Sequence, residues 1–168
     1  QVTVLDISLK RLRELDVQFN GRVATLYSET AALETLLPQA DLVVGAVLIP
    51  GRSAPKLITR AMVKSMRRGS ALVDIAIDQG GCAETARPTT HSVPRYTELG
   101  VVHYCVTNMP AACARSATQA LSHATLPYAL MLATHGRRAL DLDPGLREGL
   151  NTDRGEIAHA GLAEDLSE

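Results

Sequence analysis

Apolar positions along the chain fall into two alternating kinds of block. Continuous runs at residues 2–5, 22–26, 41–47, 71–77 and 101–106 read as strands, several too uniformly apolar to keep a solvent face. Between them, apolar residues recur every three or four positions. Leu9, Leu12, Leu15 and Phe19 form one such face behind Ser8, a residue suited to capping a helix start. Residues 29–37 form a second helix, stopped near Pro38. Residues 56–66 form a third, closed by Lys64, Arg67, Arg68 and Gly69. Strands alternating with helices of about ten residues predict an α/β fold built on a doubly wound parallel sheet.

The pattern changes after Asn108. Residues 111–135 read as one long helix with Ala117, Ala120, Leu121, Ala124, Tyr128, Ala129 and Leu132 on a broad apolar side, and Pro127 should kink or interrupt it. The last thirty residues read as a short helix, a turn and a frayed end. A division follows into a sheet-bearing domain, residues 1–111, and a helical segment, residues 112–168.

Composition narrows the function. At 168 residues the chain can bury a core, and its 17 basic and 18 acidic residues give a net charge of -1. That balance offers no footprint for nucleic acid or an anionic membrane, and no apolar run approaches the roughly 20 residues of a membrane span. Trp is absent, which argues against a stacking platform for bases. Cys82, Cys105 and Cys113 are odd in number and lack the spacing of a metal or redox pair, which suits a reduced cytoplasmic setting.

Chemistry concentrates where the fourth strand ends. The run Ala71-Leu-Val-Asp-Ile-Ala-Ile-Asp-Gln-Gly-Gly81 leads from an apolar strand into a carboxylate and two glycines. Ligands of open α/β sheets sit in the crevice beyond the carboxyl ends of the strands, which puts Asp78 at the edge of a site. A second acid, Asp6, ends the first strand, where a dinucleotide-binding fold holds the adenosine ribose. That acid normally lies about 20 residues after a glycine-rich turn. Five residues precede Asp6, too few for that turn, and residue 1 is Gln, so the chain reads as the later part of a longer protein.

Four segments carry a specific resemblance. Asp41-Leu-Val-Val-Gly-Ala-Val-Leu-Ile-Pro-Gly51, the strand from Asp74 to Gly81, Arg87-Pro-Thr-Thr90 and Thr107-Asn-Met-Pro-Ala111 occur in this order. Together they resemble the NAD-dependent, bacterial type of alanine dehydrogenase, from about Val2 to at least residue 155. The related transhydrogenase alpha subunit typically has Glu before its Gly-Gly and a different turn where this chain has Asn108-Met109-Pro110. A non-catalytic fragment with only the nucleotide fold is the alternative from another class.

The resemblance implies a Rossmann-like NAD domain lacking its first strand and glycine loop, followed by a helical return of the catalytic domain. It implies oxidative deamination of L-alanine to pyruvate and ammonia with reduction of NAD, and the reverse. The complete protein would be a homo-oligomer, a hexamer in this family. The substrate-binding Arg and Lys and the catalytic His would lie outside this chain, so none of its five histidines takes that role and the chain alone should be inactive.

By the same resemblance, Asp6 would accept hydrogen bonds from the adenosine ribose. Arg11 and Ser28 would contact the cofactor, with a solvated helix charge and a simple turn residue as their plainer readings. Val47 and Leu48 would line it at the end of the third strand. Ile75, Ala76, Ile77 and Asp78 would face the nicotinamide riboside, with Asp78 as the catalytic carboxylate. Arg87 would touch the cofactor from a loop, although surface solvation also explains it. Val106, Thr107, Asn108 and Met109 would close the nicotinamide side.

Two further sites are excluded. His135 matches a metal-contacting position of relatives, but Met131 stands where a carboxylate is needed. A thioether and an imidazole suit a hard cation poorly, so no metal is expected. Cys82 reads as a packed small side chain rather than a nucleophile.

Overall fold

The structure, a computed structural model, describes residues 1–166. It opens with β1 (Thr3–Asp6), α1 (Leu9–Phe19) and β2 (Ala24–Tyr27), in which β1 and β2 pair in parallel. Ser8 Oγ accepts from Arg11 N at 3.2 Å and so caps α1, as its residue type predicts. Of the apolar face of α1, only Leu12 is buried. α2 (Thr30–Leu36) runs into a tight 3₁₀ turn at Leu37–Gln39, where Pro38 cannot continue an α-helix.

A four-stranded sheet follows in the order β3-β4-β6-β5, built from β3 (Leu42–Gly45), β4 (Ala71–Asp74), β5 (Arg95–Glu98) and β6 (Val101–Tyr104). β3, β4 and β6 run parallel, so their carboxyl ends share one edge, while β5 is antiparallel to β6. α3 (Arg60–Ser65) precedes β4, capped by Thr59 Oγ1 accepting from Met62 N at 3.2 Å. The core gathers Leu37, Ile58, Met62, Val63, Met66, Leu72, Cys82, Ala83 and Val101 around this sheet.

The α/β class holds, with four differences from the sequence reading. The parallel strands do not form one continuous sheet: β1 and β2 stand as a separate hydrogen-bonded pair among the described residues. The fourth strand ends at Asp74, and Ile75–Gln79 form a 3₁₀ turn instead of strand. The third helix starts at Arg60, because residues 54–59 extend alongside the chain that follows that turn. β5 is a strand that the hydrophobic pattern does not predict.

Beyond Asn108, a 3₁₀ turn at Met109–Cys113 leads into α4 (Ala114–His135), 22 residues long with Pro127 inside it. The proline does not end the helix. It removes one backbone donor while the turns on either side keep theirs. No residue of α4 is buried, and Leu121, Leu126, Tyr128, Leu130 and Leu132 are exposed. No helix among the described residues is long and apolar enough to cross a membrane.

The C-terminal part is more structured than its sequence suggests. α5 (Ala139–Leu142) and α6 (Pro144–Glu148) precede a small hairpin of β7 (Thr152–Asp153) and β8 (Glu156–Ile157), then α7 (Ala160–Asp165). This end is fastened to the loop after β3. Asp165 Oδ2 accepts from Ser53 N at 2.6 Å and from its hydroxyl at 2.9 Å, and Arg52 pairs with Glu164. Gly51 lies against the His159 ring, where any side chain on residue 51 would collide.

Candidate functional site

Two clusters form at strand ends. At the first, Asp6 closes β1 and its backbone carbonyl accepts from Ser28 N at 3.0 Å, so parallel pairing brings Asp6 and Ser28 together. Asp6 Oδ1 accepts from Ser8 N at 2.7 Å, while no hydrogen bond engages Oδ2 among the described residues. This half-buried carboxylate therefore keeps one oxygen able to accept a further hydrogen bond. Arg11 is exposed, and its guanidinium meets Glu14 at 3.0 Å.

The second cluster lies at the shared edge of β3, β4 and β6. Past β3, Val47 packs against the core and Leu48 is 65% exposed. Past β4, the 3₁₀ turn places Ile75 and Asp78 outward while Ala76 and Ile77 are buried. Past β6, Val106 is fully buried and pairs with Thr89. Asn108 then adopts a left-handed conformation, φ 53°, which Asn tolerates better than most residues.

Asp78 and Asn108 face each other across this edge. Asn108 N donates to Asp78 Oδ2 at 3.5 Å, a long contact, and the Asn108 carbonyl meets His91 Nε2 at 3.1 Å. His91 thus joins the site as a support, which its sequence context did not signal. Arg87 is packed on an aromatic ring. Its guanidinium lies 3.9 Å from the centre of the Tyr96 ring, and Tyr96 stacks on His103. Tyr96 also accepts from Arg87 N at 2.9 Å and donates to Thr85 O at 2.7 Å, and burial raises its pKa.

Beneath the edge sits an acid that sequence reasoning left unassigned. Asp74 is completely buried, and its Oδ2 accepts from Cys82 N at 2.9 Å and Ala83 N at 3.2 Å. Its Oδ1 has no hydrogen-bond partner among the described residues. Burial, with the neighbouring Asp74 carboxylate, pushes the Cys82 thiol up to about 12. A thiol so raised is no nucleophile at neutral pH, which agrees with the packed role expected for Cys82. Among the described residues no group of three metal-ligating side chains converges.

A cleft of about 280 Å³ between α1 and β2, lined by Leu9, Leu12, Leu26 and Tyr27 among others, contains none of the residues assigned by resemblance. The strand-end edge is the better site, because chemistry and topology coincide there.

Residues 1–160 match the family model described as the alanine dehydrogenase/PNT C-terminal domain. The chain belongs to this family. It is 53% identical over 165 residues to an alanine dehydrogenase of Halomonas elongata, covering 98% of this chain and 44% of the relative. It is equally similar, at 53% over 165 residues, to alanine dehydrogenase 2 of Staphylococcus aureus, again covering 44% of that protein. Among solved structures, an L-alanine dehydrogenase superposes with a TM-score of 0.82 at 47% identity, over 99% of this chain and 46% of the other. The transhydrogenase of Sinorhizobium meliloti reaches 0.62 at 28% identity over 70% of this chain and 34% of its own. The chain therefore spans less than half the length of the relatives it matches. The chain shares the α/β fold of that L-alanine dehydrogenase.

Proposed function

We propose that this chain supplies the cofactor-facing part of an alanine dehydrogenase, which oxidatively deaminates L-alanine to pyruvate and ammonia with reduction of NAD and catalyses the reverse. The observation that carries the reading is the meeting of Asp78 and Asn108 at the carboxyl ends of β4 and β6, in a chain 53% identical to alanine dehydrogenases. In this reading residues 1–111 are the NAD-binding unit and residues 112–168 belong to the catalytic domain.

NAD would be held at two places. Asp6 Oδ2 would accept from the adenosine ribose, with Arg11 and Ser28 beside it. The nicotinamide end would rest against Val47, Leu48, Ile75 and Met109, with the main chain at Ala76, Ile77, Val106 and Thr107 and the Asn108 amide completing the contact. Arg87, lying over the Tyr96 ring, would touch the cofactor from its loop. When bound, the cofactor supplies hydride transfer, which no side chain can perform.

The chain's own residues manage position and protons. Asp78 is exposed at the edge, and only its Oδ2 has a hydrogen bond among the described residues, so Oδ1 is left for a water or substrate proton. Releasing the amino group as ammonia requires water to lose a proton and add at the substrate carbon. Asp78 would orient that water or take its proton, together with the His that the resemblance assigns to the remaining length of the relatives. Asn108, held by His91, can donate and accept within one contact.

The exposed apolar side chains of α4 support an oligomer, a hexamer by family resemblance, in which that helix meets other protein surface. Three unpaired cysteines suit a cytoplasmic protein. The test is direct: the protein carrying this chain at the full length of its relatives should reduce NAD when given L-alanine and oxidise NADH when given pyruvate and ammonia. Absence of both activities in a folded, NAD-binding protein would refute the reading.

A further inference from the structure

The carbonyls of the turn that follows Asp78 converge on a single ammonium. Lys56 Nζ donates to Gly80 O at 2.5 Å and Gly81 O at 2.8 Å, and lies 3.4 Å from Ala83 O. A lysine ammonium has three donors and no acceptor, so the whole of its hydrogen-bonding capacity serves this turn. None of the ion pairs among the described residues includes Lys56.

The surrounding bonds show why a side chain is needed there. Residues 54–58 run beside residues 79–84 as a backbone zipper: Ala54 N donates to Gln79 O at 2.8 Å, Ile58 N to Cys82 O at 3.1 Å, and Glu84 N to Ile58 O at 2.9 Å. Between those rungs the chain turns through Gly80 at φ 91° and Gly81 at φ 77°, conformations that glycine adopts freely. The two glycine carbonyls are taken by Lys56 instead of a backbone N–H. Their own N–H groups fold back onto Ile77 O at 3.0 Å and Ala76 O at 2.9 Å, enclosing Asp78 in the turn. Just after the glycines, Asp74 holds the Cys82 and Ala83 amides. The turn that presents Asp78 is thus gripped by an ammonium on its carbonyls and a buried carboxylate on its amides.

We propose that Lys56 is a positioning residue for Asp78: by fixing the Gly80 and Gly81 carbonyls it holds the Asp78 carboxylate where proton handling requires it. This rests on the catalytic role proposed above for Asp78. A displaced reacting group, even by about 1 Å, can cost on the order of 10²-fold in rate, whereas cofactor affinity draws on contacts spread over several strands.

The experiment compares Lys56→Met and Lys56→Arg with the parent protein at the full length of its relatives. Turnover of L-alanine, NAD affinity, amide exchange of residues 79–84 and the carboxyl carbon resonance of Asp78 are read in each. Lys56→Met should speed exchange at Cys82 and Ala83, shift the Asp78 resonance and lower kcat about tenfold or more, with NAD affinity changed less than threefold. Lys56→Arg should recover part of kcat. Should Lys56→Met fail to fold, Lys56→Gln, which keeps two donors, takes its place. A kcat within twofold of the parent despite faster exchange would make Lys56 a fold staple and overturn the proposal, as would a loss explained wholly by weaker NAD binding. A parent protein that turns over no alanine would sink the function proposed above, and the Asp78 resonance then decides here: unmoved in the variant, it overturns positioning, and moved, it sustains it.

Discussion

Gly45 and Cys82 touch so closely that residue 45 can carry no side chain: a Cβ there would overlap the Cys82 sulfur. Gly45 ends β3 opposite Asp74 in β4, and the thiol fills the space above that pair. Gly45→Ala should therefore destabilise the protein by about 1–3 kcal/mol through overpacking. Adding Cys82→Ala should return most of that loss, because the smaller side chain makes room. Urea unfolding of the two single variants and the double variant gives the coupling. Additive losses would show that the contact does not govern the site.

Asp74 supplies a second prediction. Its buried Oδ2 satisfies two buried amides, and removing it leaves both without partners. At roughly 1–3 kcal/mol for each stranded donor, Asp74→Ala should cost on the order of 3 kcal/mol. Asp74→Asn, which can still present one oxygen to the amides, should cost less. Equal losses for Ala and Asn, measured by chemical denaturation, would mean that the lost volume dominates instead of the hydrogen bonds.

The adenosine end predicts cofactor choice. Asp6 keeps a carboxylate oxygen open and the Arg11 guanidinium is already paired with Glu14, so a 2′-phosphate would meet negative charge that Arg11 does not offset. NAD should be preferred over NADP, and Asp6→Ser should narrow the ratio by about tenfold or more, since a close charge clash costs several kcal/mol. Comparable kcat/KM with both cofactors in the parent protein would contradict this.

Acid should release the C-terminal strap. The Ser53 backbone N–H, then the Ser53 hydroxyl, holds the Asp165 carboxyl below the ordinary carboxylate range. A pKa depressed by folding means that the contact contributes fully above the unfolded value and is lost as pH falls through the folded one. The strap should be intact at neutral pH and open only in acid, below about pH 4. The Ser53 amide resonance should follow that titration and lose it in Asp165→Asn. A midpoint near neutrality would contradict this assignment to Asp165.

Particular residues show what the sequence made legible. Ser8, Asp6 and the apolar runs at β1, β3, β4 and β6 identified the layer order, because local periodicity and capping chemistry decide those elements before tertiary contacts matter. β5 escaped because Arg95–Glu98 is short and polar, and its turn uses Leu99 at φ 54° before Gly100, not the Asn-Gly or Asp-Gly that announces a hairpin. The helix expected from Lys56 begins at Arg60 because the carbonyls of residues 79–83 recruit the preceding segment, a long-range cause with no local trace. β4 stops at Asp74 and not at Ile77 for a similar reason: an apolar run does not reveal where a strand tightens into a 3₁₀ turn. Of the site, Asp78 and Asn108 were readable from their motifs, whereas Lys56, Asp74 and His91 act only through folded proximity.

The role of Asp78 is decided by measuring kcat for L-alanine and NAD affinity together in the Asp78→Asn variant of the full-length protein. Asn keeps the size of the side chain and its bond to the Asn108 amide but cannot accept a proton. If Asp78 handles protons, kcat should fall by roughly 10²-fold or more while NAD affinity stays within a few-fold. A near-normal kcat accompanied only by a lower melting temperature would make Asp78 a structural residue and contradict the catalytic reading of this site.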